Sequence, residues 1–268
     1  MIIRSYLPAV EDNRMQQVGN VEYARAYYYS NKHRNLKYLL EKRYGWMNKF
    51  IRPQDSGVEI GSGIGVTKDF IKTANLLLTD NEQASWLDVK NVDAHNLPFE
   101  ENKFDFIIIV NTLHHLAYPK KFFKEAYRVL KPGGHLIISD PNASWLFRLI
   151  LRLMKHEGYS FEVNVFDDKK PSVNPQDLWA GNNAMARLIF ENTATFHKQV
   201  PYFKVVHKRF SECFLFLNSG GVTAKTFYVP LPGFMLRIVD FFDSTLSLLF
   251  PKLFSLQMEI VCQKVTHS

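Results

Sequence analysis

The chain has 268 residues, of which 46% are apolar and 22% are charged. This composition is typical of a folded globular protein and excludes a chain that is disordered throughout. The 33 basic and 26 acidic residues give a formal net charge of +7, which permits an anionic partner without identifying one. The two cysteines, Cys213 and Cys262, are too few for a disulfide framework or a multi-cysteine metal site. We expect a soluble cytoplasmic protein, because no charge-free apolar stretch is long enough to span a bilayer.

The first part of the chain predicts helices, and a short strand and a glycine-rich turn follow them. Residues 21–50 carry apolar and aromatic positions between basic ones, as a helical region does. We assign residues 1–52 to a helical cap, or lid, over the domain that follows. Residues 56–61 predict a buried strand, 66–73 a short helix and 75–80 a second strand.

The next elements continue the alternation of strands and helices. Residues 86–95 predict a third strand, and 103–113 a fourth, whose continuous Ile/Val run is typical of a strand buried on both faces. Residues 119–134 predict a helix with an apolar stripe, and 135–141 predict a fifth strand. Strands that alternate with helices in this way imply βαβ units and a doubly wound sheet.

The pattern loosens beyond residue 141. Residues 142–156 and 234–250 predict apolar or amphipathic helices, and residues 184–192 predict a shorter one. Residues 202–210 and 256–265 alternate between apolar and polar positions, as strands do. We interpret this part as a helical insertion within one domain.

The glycine turn after the first predicted strand is the first candidate for a binding site. Gly61, Gly63 and Gly65 follow that strand, and glycine lets the chain turn sharply and lets a ligand approach the backbone. Asp80 ends the next strand, where its carboxylate could accept both hydroxyls of a ribose. The combination predicts a ligand of the adenosine type.

Two adenosine cofactors compete for this site. The dinucleotide fingerprint needs Gly or Ala at the position where Val66 stands. Glu59 lies just before the turn, and a carboxylate there is unfavourable beside a pyrophosphate but favourable beside an ammonium group or a sulfonium. Both features disfavour NAD, so an NAD-dependent oxidoreductase is the alternative rather than the preferred interpretation.

Four segments in chain order, VEIGSGIG, LLLTD, VDAHNLPFEENKFDFIIIVNTLHHL and EAYRVLKPGGHLIISDP, resemble the motifs of class I S-adenosylmethionine-dependent methyltransferases. They are most similar to the group that modifies small molecules, lipids and sugars, and later segments resemble an uncharacterised bacterial subgroup. The resemblance implies an α/β fold: a doubly wound, mainly parallel, seven-stranded Rossmann-like sheet with a reversed hairpin at its C-terminal edge. It also implies S-adenosylmethionine as cofactor and S-adenosylhomocysteine as product. The methyltransferase domain would be residues 53–268, with a cofactor half at 53–141 and acceptor-side helices and C-terminal strands at 142–268.

The same resemblance assigns ten residues to the cofactor site: Glu59, Gly61, Ser62, Gly63, Gly65, Asp80, Asp93, Ala94, Asn111 and Leu113. The glycine turn would contact the methionine part of the cofactor, with Glu59 near its amino group. Asp80 would hold the ribose hydroxyls. Asp93 would accept a hydrogen bond from the adenine amino group, with Ala94 next to the ring. Asn111 and Leu113 would border the sulfonium.

Three histidines are candidates for the catalytic role. Methyl transfer is an in-line displacement, and it needs a base only if the acceptor must lose a proton. His114 and His115 follow the fourth predicted strand, at the edge of the sheet where ligands bind, and His156 follows the insertion helix. The alternative for each histidine is a packing or capping role. No His, Cys and acidic residues have metal-ligand spacing along the chain, so we predict no metal.

The acceptor is predicted only by class: a small molecule, a sugar or a lipid-linked compound. Oxygen is the favoured acceptor atom, because histidines stand at the ligand edge. The helices at 145–155 and 234–250 could lie on a membrane surface or, alternatively, pack over the sheet. Basic residues are scattered, so we expect no nucleic acid partner and at most peripheral membrane contact. A non-catalytic, regulatory cofactor-binding protein of the same fold is a further alternative.

Overall fold

The computed structural model describes residues 5–6, 21–30, 34–154, 157–177, 179–222 and 226–266. Its α-helices are α1 (Val21–Tyr29), α2 (Arg34–Gly45), α3 (Pro119–Val129), α4 (Trp145–Met154), α5 (Met185–Phe190), α6 (Thr193–Gln199), α7 (Phe214–Leu217) and α8 (Gly233–Leu249). Its strands are β1 (Ser5–Tyr6), β2 (Ser56–Ile60), β3 (Asn75–Thr79), β4 (Phe104–Val110), β5 (Leu130–Pro141), β6 (Tyr159–Ser160), β7 (Phe203–Ser211) and β8 (Gln257–Lys264). Short 3-10 helices lie at Trp46–Lys49, Thr67–Asp69 and Leu113–His115.

Six strands form the central sheet in the order β3-β2-β4-β5-β8-β7. Neighbouring pairs among β3, β2, β4 and β5 are parallel, and β8 runs antiparallel between β5 and β7. This arrangement confirms the doubly wound α/β fold, the reversed C-terminal hairpin and the helical insertion before the last strand. The carboxyl ends of the parallel strands meet at one edge, where ligands bind in open α/β sheets.

Strand β4 is buried on both faces, as its Ile/Val run predicts. Ile107 and Ile109 belong to a hydrophobic cluster on one side of the sheet, with residues of α3 and α5. Phe106 and Ile108 belong to a second cluster on the other side, together with Leu36 and other residues of the predicted cap. The cap helices α1 and α2 therefore share a core with the sheet.

The segment 86–95, predicted as a strand, does not form one. It makes a single parallel bridge, between Thr79 and Val89, at the outer edge of β3. The Asp88 carboxylate accepts the Leu78 N–H at 2.7 Å, so a side chain occupies a donor of β3 that a neighbouring strand would use. Asn91 has a left-handed backbone with φ 55°, which also interrupts extended structure. The described sheet consequently has six strands rather than seven.

Two further boundaries differ from the predictions. The helix predicted over 66–73 is only the 3-10 turn Thr67–Asp69. The helix predicted over 119–134 ends at Val129, and β5 starts at Leu130. Gly133 has φ 77°, and the register between β4 and β5 shifts nearby, so the Pro-Gly-Gly segment is an irregular start of the strand rather than the end of the helix.

A buried ion pair connects the cap to the rest of the domain. Nε and Nη2 of Arg43 on α2 donate to the two carboxylate oxygens of Glu212 at 2.7 and 2.6 Å. Both side chains are buried, and Glu212 follows β7 directly. A two-pronged pair of this kind fixes geometry as well as charge, so it sets the position of α2 over the sheet.

The close packing of β2 against β4 gives a test of the fold. A Cβ at Gly57 would lie 2.2 Å from the buried Phe106 ring, so Gly57→Ala should lower the free energy of unfolding by about 1–3 kcal/mol. Gly45→Ala is the matched control, because nothing lies within 4 Å of its Cβ position. Its backbone is already helical, so we expect no loss of stability there. Equal effects of the two substitutions in chemical denaturation would contradict this packing.

Candidate ligand cavity

A cavity of about 710 Å³ lies along the carboxyl edge of the parallel strands. Residues from both the sheet edge and the cap form its wall. Val21, Leu40, Arg43 and Tyr44 are the cap residues in the wall. Of the thirteen predicted site residues, the wall contains Gly61, Ser62, Gly63, Asp80, Asp93, Ala94, Asn111, His114 and His115. The fold thus brings together side chains that are far apart in the sequence.

The glycine turn brings its backbone and Asp80 to the same point of the wall. Gly61 and Gly63 have φ values of 74° and 49°, which other residues rarely adopt. A Cβ at Gly61 would lie 2.4 Å from the Thr112 side chain, whereas a Cβ at Gly63 would meet open space. The Gly63 N–H donates to Oδ2 of Asp80 at 2.8 Å. This hydrogen bond fixes the position of the Asp80 carboxylate relative to the glycine turn.

Arg25 and Trp86, which no sequence motif indicates, donate hydrogen bonds to the backbone of this turn. Arg25 on α1 donates to the carbonyl oxygens of Ile64 and Gly65. The indole N–H of Trp86 donates to the Gly63 carbonyl oxygen at 2.9 Å. Arg25 also stacks on the Trp86 ring. Nothing in the local sequence pattern marks these residues, because the contacts join segments distant along the chain.

Asp93 and Ala94 lie next to each other in the wall, beyond Asp80. Oδ1 of Asp93 accepts hydrogen bonds from the backbone N–H and from Nδ1 of His95, both at 2.8 Å. Ala94 is buried, and its side chain is small. Their placement is compatible with the predicted adenine role.

Three predicted cofactor residues lie behind the wall instead of on it. The Gly65 Cβ position faces Trp86 at 2.4 Å and has no space for a ligand. Leu113 is fully buried in the hydrophobic core. Glu59 is buried below the turn, where Oε1 accepts the Thr67 hydroxyl at 2.7 Å. We therefore expect these residues to shape the wall, not to contact a ligand directly.

Glu59 is electrostatically unusual. Its Oε2 is buried without a hydrogen-bond partner among the described residues. Burial raises the pKa of the Glu59 carboxyl to about 7, against the opposing effect of its hydrogen bonds from Thr67 and Ser62. A cation near the turn would stabilise the ionised form of this carboxyl, which agrees with the charge argument made from the sequence.

Asn111 occupies the end of β4 in a left-handed conformation, with φ 49°. Its N–H donates to the Ser139 carbonyl oxygen, and its Oδ1 accepts from Nε2 of Gln257 at 2.6 Å. Gln257, on β8, also lies in the wall. The sequence did not indicate Gln257, because it comes from the distant C-terminal strand.

His114 is held between two carboxylates. Its Nδ1 lies 3.0 Å from Oδ1 of Asp140, and its Nε2 lies 3.1 Å from Oε2 of Glu157. Burial disfavours the charged ring, but the attraction of Asp140 and Glu157 prevails and raises the pKa of His114 to about 10. Both acids thus favour the protonated form of the ring, whereas a general base needs an unprotonated nitrogen. The role of His114 as a general base stays a prediction.

His115 is the other described histidine of the catalytic prediction. Its Nδ1 lies 3.1 Å from the Ala180 carbonyl oxygen, which can only accept, so this nitrogen carries a proton. Its Nε2 lies 3.7 Å from Oε1 of Glu157. His156 lies outside the described residues. Nε2 of His115 is thus a candidate to accept a proton from the acceptor.

Another part of the wall is apolar. It contains three residues of α4, one of α7 and one that follows α7: Phe147, Ile150, Leu151, Phe216 and Val222. These side chains carry no group that could fix the orientation of a charged ligand. This part of the cavity suits an apolar molecule.

Comparison with known proteins gives a match for the part of the chain that runs from β2 into β5. Residues 56–138 match the family model described as a methyltransferase domain. A phthiotriol/phenolphthiotriol dimycocerosates methyltransferase of Mycobacterium ulcerans is 43% identical over 54 residues, which are 20% of this chain and 20% of that protein. A ubiquinone/menaquinone biosynthesis C-methyltransferase of a Ruegeria species is 42% identical over 59 residues, 22% of this chain and 24% of that protein. The matches span about a fifth to a quarter of these two relatives.

The structural comparison extends over more of the chain. One chain of the Haloferax volcanii complex between the Trm112 methyltransferase activator and a methyltransferase is 12% identical. The alignment has a TM-score of 0.50 and covers 94% of this chain and 99% of that chain. At this identity the likeness establishes a shared fold, including the parts outside residues 56–138.

The burial of Glu59 predicts a pH dependence of stability. A folded-state pKa of about 7 is above the unfolded value, so the protonated carboxyl is favoured in the fold and stability falls as pH rises toward 7. Between roughly pH 5 and 8.5 the wild type should lose about 2–3 kcal/mol that Glu59→Gln does not lose. Chemical denaturation of both proteins without ligand at each pH measures this difference.

Glu41→Gln is the matched control, because Glu41 is exposed on α2. Its stability relative to the wild type should not change over the same pH range. A constant difference between Glu59→Gln and the wild type would contradict the buried, titrating carboxyl.

Proposed function

Residues 56–138 are a class I S-adenosylmethionine-dependent methyltransferase domain, and from this premise we propose that the chain transfers the cofactor's methyl group to an apolar, lipid-linked acceptor. The observation that carries the cofactor part is the contact between Gly63 and Asp80 at the cavity wall. The observation that carries the acceptor part is the apolar wall formed by α4 and the residues near α7.

The cofactor would lie along the wall from the turn to Ala94. Its ribose hydroxyls would donate to Asp80, and its adenine would lie beside Asp93 and Ala94, with the amino group toward the Asp93 carboxylate. Its sulfonium would then stand near Asn111, between the polar wall and the apolar part of the cavity. NAD fits this wall less well, because the Glu59 carboxylate below the turn, whose Oε2 has no hydrogen-bond partner among the described residues, would repel a pyrophosphate when ionised.

The reaction would be an in-line displacement at the methyl carbon. A lone pair of the acceptor forms the new bond while the carbon–sulfur bond breaks, and that electron pair stays on sulfur. Alignment of the two reactants in the cavity would supply most of the rate enhancement. We keep oxygen as the favoured acceptor atom. Its proton would pass to His115 or to water, because Asp140 and Glu157 favour the protonated form of His114.

An acceptor attached to a lipid would reach the cavity from a membrane surface. We define the apolar face as the exposed side chains Trp145, Leu149 and Leu153 of α4 together with Leu249, Phe250 and Leu253 at the end of α8. The two parts are contiguous, because the N–H groups of Trp145 and Leu146 donate to the carbonyl oxygens of Lys252 and Leu253. Leu153 is 74% exposed, and it belongs to a group of exposed apolar side chains of the kind that marks an interaction site.

The positive charge of the chain favours an anionic membrane surface as the partner of the apolar face. The chain has a net charge of +7, and the exposed Arg152 lies on α4 between Leu149 and Leu153. The opposite side of α4 supplies Phe147 and Leu151 to the cavity, so the apolar face and the acceptor wall are two sides of one helix. No helix in the described ranges is long and apolar enough to cross a bilayer. The contact would therefore be peripheral, as with interfacial helices.

The cofactor assignment predicts the effect of losing the Asp80 carboxylate. Asp80→Ala should weaken S-adenosylhomocysteine binding by about 1.5–3 kcal/mol, or roughly 10- to 150-fold, because hydrogen bonds to a charged group are lost. Calorimetric titration measures the affinity, and Glu41→Gln again serves as the control with unchanged binding. An unchanged affinity of Asp80→Ala would remove Asp80 from the site. A cofactor-binding protein without turnover would behave identically here, so methyl transfer to lipid extracts is the separate test of catalysis.

The membrane assignment predicts binding to vesicles. The chain should co-sediment with vesicles of phosphatidylcholine and phosphatidylglycerol in equal parts, and much less with phosphatidylcholine alone. Leu153→Ser combined with Leu249→Ser should reduce binding at least tenfold, because burial of each leucine contributes about 1.5–3 kcal/mol. Val206→Ser, at an exposed position of β7 outside the apolar face, is the control.

Unchanged vesicle binding by the double variant would contradict the membrane assignment. Size-exclusion chromatography tests the alternative that a second copy of this chain covers the apolar face. If the wild type is a dimer and the double variant a monomer, the apolar face is an interface between copies of this chain instead.

A further inference from the structure

We propose that His114, His115 and Glu157 form a binding site for a divalent transition-metal ion of the zinc type, on the acceptor side of the cavity. The three residues lie in the cavity wall. One ligand atom from each, two imidazole nitrogens and a carboxylate oxygen, lies within 4.8 Å of the others. The sequence indicated no metal site, because Glu157 is distant from the histidines along the chain and only the fold brings it back to the sheet edge.

The distances suit a shared ion. Nε2 of His114 lies 3.1 Å from Oε2 of Glu157, and Nε2 of His115 lies 3.7 Å from Oε1 of the same carboxylate. With metal–ligand bonds of about 2.0–2.1 Å, ligand atoms in a tetrahedral zinc site stand roughly 3.4 Å apart. Small movements of the side chains would therefore bring all three atoms to bonding distance.

The ring orientations support the same conclusion. Metal-binding histidines almost always donate their other ring N–H to a carboxylate or a backbone carbonyl group, which fixes the nitrogen that faces the metal. Nδ1 of His114 is hydrogen-bonded to Asp140, and Nδ1 of His115 is hydrogen-bonded to the Ala180 carbonyl oxygen. Glu157 is itself oriented by the Asn183 side-chain amide at 3.2 Å. Every proposed ligand thus has an outer partner that orients it.

The donor set indicates the class of metal. Two imidazoles and one carboxylate suit zinc and neighbouring transition metals, whereas magnesium and calcium prefer oxygen donors alone. A site with three protein ligands leaves a position open toward the cavity, as catalytic zinc sites do.

The consequence for the acceptor rests on the proposed function. A hydroxyl of the acceptor would bind at the open position, where the metal lowers its pKa and the proton leaves to water. The oxygen lone pair then forms the bond to the methyl carbon, the carbon–sulfur bond breaks, and its electron pair remains on sulfur. The metal would in this way select an oxygen acceptor and fix its position relative to the sulfonium.

Metal binding can be measured without any acceptor. The chelator-treated full chain is titrated with Zn²⁺ in a calorimeter and with Co²⁺ in an absorption spectrometer. We expect one equivalent of each metal and the visible bands of four-coordinate cobalt. His115→Gln and Glu157→Gln should each weaken Zn²⁺ binding at least tenfold. Asp140→Asn, which changes only the partner of His114, should weaken it about 10- to 100-fold.

His197→Gln is the matched control, because His197 is an exposed histidine on α6, away from the proposed ligands. It should bind Zn²⁺ like the wild type, and circular dichroism checks that each variant is folded. The proposal is overturned if the wild type binds no stoichiometric Zn²⁺, or if folded His115→Gln and Glu157→Gln bind it as tightly as His197→Gln. S-adenosylhomocysteine binding by the wild type is measured in parallel. A chain that binds S-adenosylhomocysteine but not Zn²⁺ keeps the proposed function and loses the metal site.

Discussion

The burial of β4 on both faces is the constraint from which the rest of the structure follows. Its alternate side chains belong to the two hydrophobic clusters that cover the sheet, one with α3 and α5 and one with the cap helices. A strand in that position requires parallel neighbours joined by crossovers that pack on either face. The carboxyl ends of β2 to β5 then meet at one edge, and the turn after each strand supplies one part of the cavity wall.

The cavity separates two chemical environments along that edge. The ends of β2 and β3 present a bare backbone turn and Asp80, with the buried Glu59 below, which suits a polar ligand that carries positive charge. The end of β4 and the insertion present the histidine–carboxylate cluster and, beyond it, the apolar side of α4. A small polar cofactor and an apolar acceptor would thus meet near Asn111, at the boundary between the two environments.

The sequence predicted most of the cofactor side, because its signals are local. A buried strand, a glycine turn and an acid at the next strand end all lie between Ser56 and Asp80. The sequence could not predict the features that depend on tertiary contacts. Trp86 and Arg25 support the turn from other segments, and Glu157 returns to His114 from the insertion. The predicted strand over residues 86–95 does not form beside β3, because the Asp88 carboxylate accepts a hydrogen bond from the Leu78 N–H that a neighbouring strand would use.

The central claim is that the cavity binds S-adenosylmethionine, and thermal unfolding with different ligands tests it most directly. The chain is unfolded with S-adenosylmethionine, S-adenosylhomocysteine and NAD in parallel. A ligand at 100 times its Kd stabilises the fold by about 2.7 kcal/mol, which raises the Tm by roughly 2–4 °C per kcal/mol for a chain of this size. We predict a rise of several degrees with the first two ligands and none with NAD. A rise with NAD alone, or with none of the three, would contradict the account.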